Sequence, residues 1–176
     1  MSFLKKIIIL SLLMLLGCQT LNTIPIEVNI SQEVTFSGKG AGAGIALMSA
    51  MGPSGLAIGL AIDVGIGKKI QSTINYQNLE SRFASLIIQH NTLQLQNKKI
   101  QLLKINKLKF QSVSGEKDPT VVIIDGSITF INGEIHVFEN TKIENNISRP
   151  LENLKTKNHV TDELIISTLN DYLSKI

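Results

Sequence analysis

Residues 55–67 of the chain read GLAIGLAIDVGIG. The even positions carry only large apolar residues, which are Leu56, Ile58, Leu60, Ile62, Val64 and Ile66. The odd positions carry glycine or alanine, apart from a single acidic residue, Asp63. Apolar bulk on one parity and almost none on the other is typical of a segment that faces lipid or packs closely against another backbone.

This stretch lies inside a longer glycine-rich region, residues 38–69. The region holds nine of the chain's 13 glycines, and between Gly40 and Gly67 its only charged residue is Asp63. Small residues recur at every fourth position, which lets helix backbones approach each other closely. We therefore predict that the region inserts into the membrane or forms an oligomer interface. The residues predicted to do so are Gly38, Gly42, Ala46, Ala50, Gly55, Leu56, Ile58, Gly59, Leu60 and Ile62.

Three conformations remain open for the glycine-rich region. The first is a helical hairpin broken at residues 52–55 (GPSG), with arms of roughly 18 Å at 1.5 Å per residue. The second is a membrane β-strand over residues 56–66, because strict alternation is typical of a strand with one face in lipid. The large residues of this arm form no single stripe on a helical wheel, so the arm matches a strand better than an amphipathic helix. The third is a segment packed inside the domain or against another subunit.

No group of residues in the sequence predicts an enzyme. His90, His136 and His159 are dispersed, without acidic or cysteine companions at metal-ligand spacing, so we expect no metal and no cofactor. Residues 38–43 read GKGAGA, which matches the formal G-x-G-x-x-A pattern of a dinucleotide site. A helix that starts there would end at Gly52-Pro53, too early to cross a sheet, so we expect no dinucleotide either.

The first twenty residues, MSFLKKIIILSLLMLLGCQT, have the features of an export signal. Lys5 and Lys6 precede an apolar run that is too short to span a bilayer as a helix. The ending Leu15-Leu16-Gly17-Cys18 resembles the lipobox of bacterial lipoproteins. That resemblance implies cleavage between Gly17 and Cys18 and acylation of Cys18 by fatty acids such as palmitate. The acylated residue would anchor the chain in membrane lipid.

Cleavage at this point would change both the length and the net charge of the chain. It would leave 159 of the 176 residues, enough for one domain, and would lower the formal net charge from +3 to +1. We therefore expect no nucleic-acid partner. Cys18 is the only cysteine, which excludes an internal disulfide. In the lipoproteins that the signal resembles, a residue other than aspartate after the cysteine implies the outer membrane, and here that residue is Gln19.

The rest of the chain predicts an α+β domain, with a small antiparallel sheet and two packing helices. A helix is expected over residues 72–91, with an inward face of Leu79, Phe83, Leu86, Ile87 and His90. Asn132-Gly133 predicts a two-residue turn that sets Ile128 opposite Val137. Residues 145–159 are assigned to a loop, and Thr161 to the N-cap of a last helix. That helix would face inward with Leu164, Ile165, Thr168, Leu169, Tyr172 and Leu173.

These patterns divide the chain into four parts. Residues 1–17 are the predicted signal peptide, and residues 18–37 are a lipidated tether followed by a strand with Ile26, Val28 and Ile30 on one face. Residues 38–69 are the glycine-rich apolar hairpin inserted near the N-terminus, and residues 70–176 are the α+β domain.

The lipobox at residues 15–18 and the apolar hairpin at residues 38–67, beside a small mixed domain, resemble the TraT-type surface-exclusion lipoproteins. That resemblance implies assembly into outer-membrane rings. We expect a non-enzymatic, lipid-anchored protein of the bacterial cell envelope with a structural or assembly role. Its expected partners are membrane lipid and further copies of itself or other envelope proteins. The alternative is a soluble periplasmic binding module or accessory subunit, tethered only by its lipid, with the glycine-rich region buried in the fold.

Overall fold

A computed structural model describes residues 25–141 and 147–176. Within these ranges the chain forms five α-helices and six β-strands, which confirms the predicted α+β class. The helices are α1 (Lys39–Met51), α2 (Pro53–Gln71), α3 (Tyr76–Leu93), α4 (Leu151–Thr156) and α5 (Asn158–Leu173). The strands are β1 (Glu27–Ile30), β2 (Val34–Ser37), β3 (Ile100–Ser112), β4 (Pro119–Phe130), β5 (Ile135–Thr141) and β6 (Arg149–Pro150). The predicted signal peptide and its cleavage site at Gly17 and Cys18 lie outside the described residues.

The sheet is mixed, whereas the sequence predicted an antiparallel one. β3 and β4 form a long antiparallel pair at its centre, and β5 and β6 both add antiparallel to β4. β1 and β2 pair parallel with β3, one after the other along its length. Parallel strands need a long crossover connection, and residues 38–99 supply it through α1, α2 and α3. The glycine-rich region was predicted to be an insertion near the N-terminus, whereas it forms part of the crossover that makes parallel pairing possible.

The hydrophobic core lies between one face of the sheet and helices α3 and α5. In α3 the predicted inward residues Leu79, Phe83 and Ile87 are fully buried, while Leu86 and His90 are half-buried at its edge. Burial lowers the pKa of His90. The predicted stripe of α5 is also confirmed: the buried residues include Leu164, Ile165, Thr168, Leu169 and Leu173, and Tyr172 is half-buried. Val28 and Ile30 of β1, and Ile26 just before it, pack against this core.

The start of α3 lies four residues later than predicted. The side chain of Asn75 accepts a hydrogen bond from the backbone nitrogen of Asn78 (3.1 Å), so Asn75 is the N-cap. Residues 72–74 connect α2 to this cap. The hydrophobic pattern alone does not distinguish these connecting residues from the first turn of a helix.

The predicted N-cap role of Thr161 is wrong, because α5 begins at Asn158. Thr161 is fully buried, and its hydroxyl donates to the carbonyl oxygen of Leu154 (3.0 Å) and lies 3.0 Å from the hydroxyl of Thr73. The segment predicted to be a loop contains the short helix α4, whose position this buried network fixes.

The β4–β5 hairpin contains the predicted Asn132-Gly133 turn, but its register differs by one residue. Ile128 pairs with His136 rather than with Val137, because the loop has three residues instead of two and its glycine adopts φ 86°. A shift of one residue exchanges the two faces of a strand. Phe138 is consequently buried, and Val137 is exposed.

Buried polar side chains tie α3 to its neighbours. The Asn91 side chain donates to the carbonyl oxygen of Ile100 (2.8 Å) and accepts from its amide (2.7 Å), which fixes the end of α3 to the start of β3. Asp162 of α5 accepts from the Asn78 side chain (3.1 Å) and from the Asn75 amide (3.3 Å). Burial raises the pKa of Asp162, and these hydrogen bonds act in the opposite direction.

Candidate functional site: the helical hairpin

The glycine-rich region forms a helical hairpin made of α1 and α2. The two helices meet at Gly52, which has φ 62° and ψ −145° and so needs the conformational freedom of glycine. Pro53 opens α2, where its missing N–H breaks no helical hydrogen bond. The predicted helical hairpin, broken at Gly52-Pro53, is therefore what the structure contains, and the β-strand alternative for residues 56–66 is wrong. α2 continues to Gln71, two residues beyond the predicted boundary.

Inside the hairpin the helices touch through glycines. A methyl group added to Gly40 or to Gly59 would overlap backbone atoms of the opposing helix. On Gly55 it would lie 2.5 Å from the backbone nitrogen of Met48, and on Gly44 it would lie 3.3 Å from the nearest atom of α2. All four glycines are buried. The distance between α1 and α2 therefore leaves room for a hydrogen atom but not for a side chain at the tightest positions.

Asp63 closes the base of the hairpin. Its carboxylate accepts hydrogen bonds from the backbone amides of Gly40 (2.6 Å) and Gly38 (3.2 Å) at the start of α1. Such amides lack partners within the helix, and the helix dipole favours an anion there. The residue is only 9% exposed. Two amides of the G-x-G-x-x-A pattern are thus occupied by the chain's own carboxylate rather than open to a phosphate group.

The Asp63→Ala variant is expected to unfold more easily than the parent protein. Loss of an N-cap side chain costs about 0.5–2 kcal/mol, and here two amides lose their acceptor in a buried setting. Asp63→Asn keeps a side-chain oxygen that can accept and should lose less. Urea unfolding followed by far-UV circular dichroism measures both. An Asp63→Ala protein as stable as the parent would show that the carboxylate does not hold the base of the hairpin.

Most large apolar side chains of the hairpin are exposed. Eight of them have 38–69% of their surface open, namely Ile45, Met48, Met51, Leu56, Ile58, Leu60, Ile62 and Val64. The hairpin packs on the domain mainly through the last turns of α2, where Ile70 is fully buried and Gly67 lies against β2. Burial of the region inside the α+β domain, the third conformation considered, does not describe this arrangement.

The alternation in residues 55–67 places the side chains of α2 in four rows. Two residues advance a helix by about 200°, so successive even positions fall on opposite flanks. One flank carries Leu56, Leu60 and Val64, and the other carries Ile58 and Ile62. The row that faces α1 carries Gly55, Gly59 and Asp63, all buried. The row that faces away carries Ala57, Ala61 and Gly65, all exposed. We refer to the first two rows as the apolar flanks.

The predicted contact residues divide between the two sides of the hairpin. Gly55 and Gly59 lie in the helix–helix contact, and Gly38 lies at the base against Ser112. The predicted ladder Gly42, Ala46 and Ala50 lies on the exposed side of α1, and a methyl group on Gly42 would meet no atom within 4 Å. The contact in α1 uses Gly40 and Gly44 instead, which were not among the predicted contact residues. Their four-residue spacing was the signal available, but several small-residue ladders of equal spacing compete in this region.

The histidines are placed on three different elements: His90 on α3, His136 on β5 and His159 in the first turn of α5. Within residues 25–141 and 147–176, no three histidine, cysteine, aspartate or glutamate side chains lie close enough to hold a metal ion. A cleft of 530 Å³ lies between the turn at Lys117 and Asp118 and the segment Pro150–Lys155. Asp118 forms an ion pair with Lys39 at the start of α1, which places this cleft beside the base of the hairpin.

Comparisons with protein-family models, curated proteins and solved structures found no match. In the part of the chain that the structure describes, no helix is both long enough and apolar enough to cross a membrane. The hairpin, with its internal glycine contact and its open apolar flanks, is the feature of this fold that a function has to explain.

Proposed function

We propose that this chain is a non-enzymatic lipoprotein of the bacterial cell envelope, anchored through acylated Cys18, in which the helical hairpin is a second membrane anchor. The hairpin enters one leaflet of the bilayer and holds the α+β domain at the membrane surface. The role is structural, in the assembly or support of a larger envelope complex. The observation that carries this proposal is the pair of exposed apolar flanks on a helix pair whose backbones are already in contact.

The length of the apolar part of the hairpin matches one leaflet. Pro53 and Asp63 are ten residues apart on α2, which corresponds to about 15 Å. The hydrocarbon core of a bilayer is about 30 Å thick, so this length reaches about its centre. Asp63, the first charge from the tip, then lies at the edge of the hydrocarbon, with its carboxylate bonded to α1 amides.

The tip of the hairpin pairs backbone groups internally, which favours its placement in lipid. The Gly52 amide donates to the carbonyl oxygen of Met48 (2.9 Å), and the Gly55 amide donates to that of Gly52 (3.0 Å). Pro53 has no amide hydrogen to satisfy. An unpaired backbone group in hydrocarbon costs several kcal/mol, so a turn with two bonded amides and a proline is better suited to that environment than an open loop.

The arrangement of the apolar side chains favours lipid over a single protein partner. Five of the eight exposed side chains project from the two flanks of α2, and the other three lie on α1. A protein partner that docks on one flank of α2 would leave the other flank in water. Lipid surrounds both. Burying the exposed half of a Leu or Ile side chain supplies about 1 kcal/mol, so the eight exposed side chains together supply on the order of 8 kcal/mol.

The test removes the predicted acyl chains and measures whether the hairpin alone holds the protein in the membrane. The Cys18→Ser protein is exported with a conventional signal, and the membranes are extracted with alkaline carbonate. We expect the protein to stay with the membranes. If it is washed off as a stable soluble monomer or oligomer, the hairpin is not a membrane anchor, and a soluble oligomer would assign the apolar flanks to a protein interface.

A further inference from the structure

We infer that Lys68 and Lys69, in the last turns of α2, bind the anionic headgroups of phospholipids when the hairpin is inserted. This inference rests on the proposed membrane insertion and specifies which lipids the base of the hairpin selects. Both lysines are exposed, and they follow directly after the apolar flanks and Asp63 along the same helix.

The distance of these lysines from the tip matches the depth of the headgroup layer. Lys68 and Lys69 lie fifteen and sixteen residues beyond Pro53, which corresponds to about 22–24 Å along the helix. One leaflet with its headgroups is about 20–22 Å thick. With the tip at the centre of the bilayer, the long apolar stems of both lysines can lie along the interface and direct their ammonium groups to the lipid phosphates.

The acidic groups around the base of the hairpin have partners of their own. Glu33, next to β2, pairs with Lys107 (3.3 Å), and Glu152 of α4 pairs with Lys155 (2.8 Å). The Asp63 carboxylate binds the amides of Gly38 and Gly40 within α1. Asp118 forms an ion pair with Lys39. Apart from Asp118, the adjoining turn over residues 113–118 carries one acid and one base, whose charges offset each other. The base of the hairpin therefore presents a net positive charge at Lys68 and Lys69, complementary to an anionic lipid surface.

Two lysines at this depth have a measurable effect on lipid preference. A basic residue near an anionic leaflet strengthens membrane binding by about fivefold, so the pair should contribute roughly 30-fold. This contribution is electrostatic and must weaken as the salt concentration rises. Lysines in the last turn of a helix also interact with its dipole, but that interaction does not depend on the lipid composition.

The experiment measures binding of the Cys18→Ser protein to two kinds of vesicle by co-flotation. One kind contains phosphatidylcholine alone, and the other contains phosphatidylcholine mixed with phosphatidylglycerol. The test variant is Lys68→Gln/Lys69→Gln. The matched control is Lys98→Gln/Lys104→Gln, which removes the same charge from exposed positions just before β3 and in its first half, away from the base of the hairpin beside Ser112. Circular dichroism checks that each variant is folded.

We expect the parent and the control to bind the anionic vesicles at least tenfold more tightly than the neutral ones at low salt. The Lys68→Gln/Lys69→Gln variant should lose most of this preference while still binding both kinds of vesicle. Equal binding of the parent to both vesicles, or an equal loss in the control variant, would overturn the headgroup inference but leave insertion intact. Binding of the parent to neither vesicle would overturn the proposed insertion itself.

Discussion

The Gly59→Ala substitution should destabilise the hairpin, although alanine is a better helix former than glycine. A methyl group at this position overlaps the backbone of α1 and would lie 2.8 Å from the Cα atom of Gly44. The helices cannot keep their present distance around it, and overpacking of this kind costs about 1–3 kcal/mol. Hydrogen exchange of the α1 and α2 amides reports opening of the hairpin, and urea unfolding reports the stability of the whole chain.

The matched control is Gly65→Ala, six residues further along the same helix. A methyl group there meets no atom within 4 Å, so only the helix preference remains, and the variant should gain about 0.5–1 kcal/mol. The two substitutions are chemically identical and should act with opposite signs. Equal effects of Gly59→Ala and Gly65→Ala on the hairpin amides would show that the helices are not in backbone contact.

The conformation of residues 55–67 shows what the sequence could and could not predict. The breaker at residues 52–55 predicted where a helical hairpin would turn, but it left the hairpin as one of three conformations. The alternation over residues 56–66 matched a strand better than an amphipathic helix, because the large residues form no single apolar stripe on a helical wheel. A helix with apolar residues on both flanks has no single stripe, and a four-residue repeat of small and large residues then gives period-two alternation. Periodicity alone cannot distinguish these two cases.

The other differences between the predictions and the structure depend on local contacts that involve only a few residues. Asn132-Gly133 located the β4–β5 turn, but one extra loop residue exchanged the faces of Val137 and Phe138. Hydrophobic spacing found the inward stripes of α3 and α5 correctly. It could not reveal that Asp63 caps α1 across the hairpin, because that contact joins residues more than twenty positions apart. In the sequence, Asp63 is only an isolated acidic residue in an apolar region, with no indication of its partner.

The position of the hairpin constrains how the proposed lipoprotein sits on a membrane. β1 begins opposite Leu102, and β2 ends opposite Gln111, so the start of β1 and the base of the hairpin are about 30 Å apart along β3. Cys18 precedes Glu27, the first residue of β1, by nine residues, which can span at most about 32 Å. If the strands stood perpendicular to the membrane, this segment would have to be almost fully extended for the acyl chains and the hairpin to occupy one leaflet, so strands inclined towards the membrane plane are favoured.

In the unacylated Cys18→Ser protein, the Ile45→Asp/Leu60→Asp substitutions should abolish membrane binding while the protein stays folded. The two side chains are 67% and 69% exposed, so aspartate at these positions can remain in water in the free protein. On insertion each change forfeits apolar burial and adds the cost of moving a charge towards the hydrocarbon, together about 4 kcal/mol or more for the pair. That corresponds to roughly a thousandfold weaker partition into vesicles.

The control for this variant is Leu93→Asp/Leu95→Asp, which places the same charges at positions that are 84% and 74% exposed but lie at the last residue of α3 and in its connection to β3, away from the hairpin. If the hairpin contacts lipid, the control floats with the vesicles as well as the parent does, and the Ile45→Asp/Leu60→Asp protein stays in solution. Because both variants add two negative charges, general repulsion from the lipid surface would affect them equally. If both variants float like the parent, the exposed apolar side chains of the hairpin do not contact lipid. A hairpin variant that still floats but loses chemical cross-linking between copies would instead assign the apolar flanks to an interface between protein subunits.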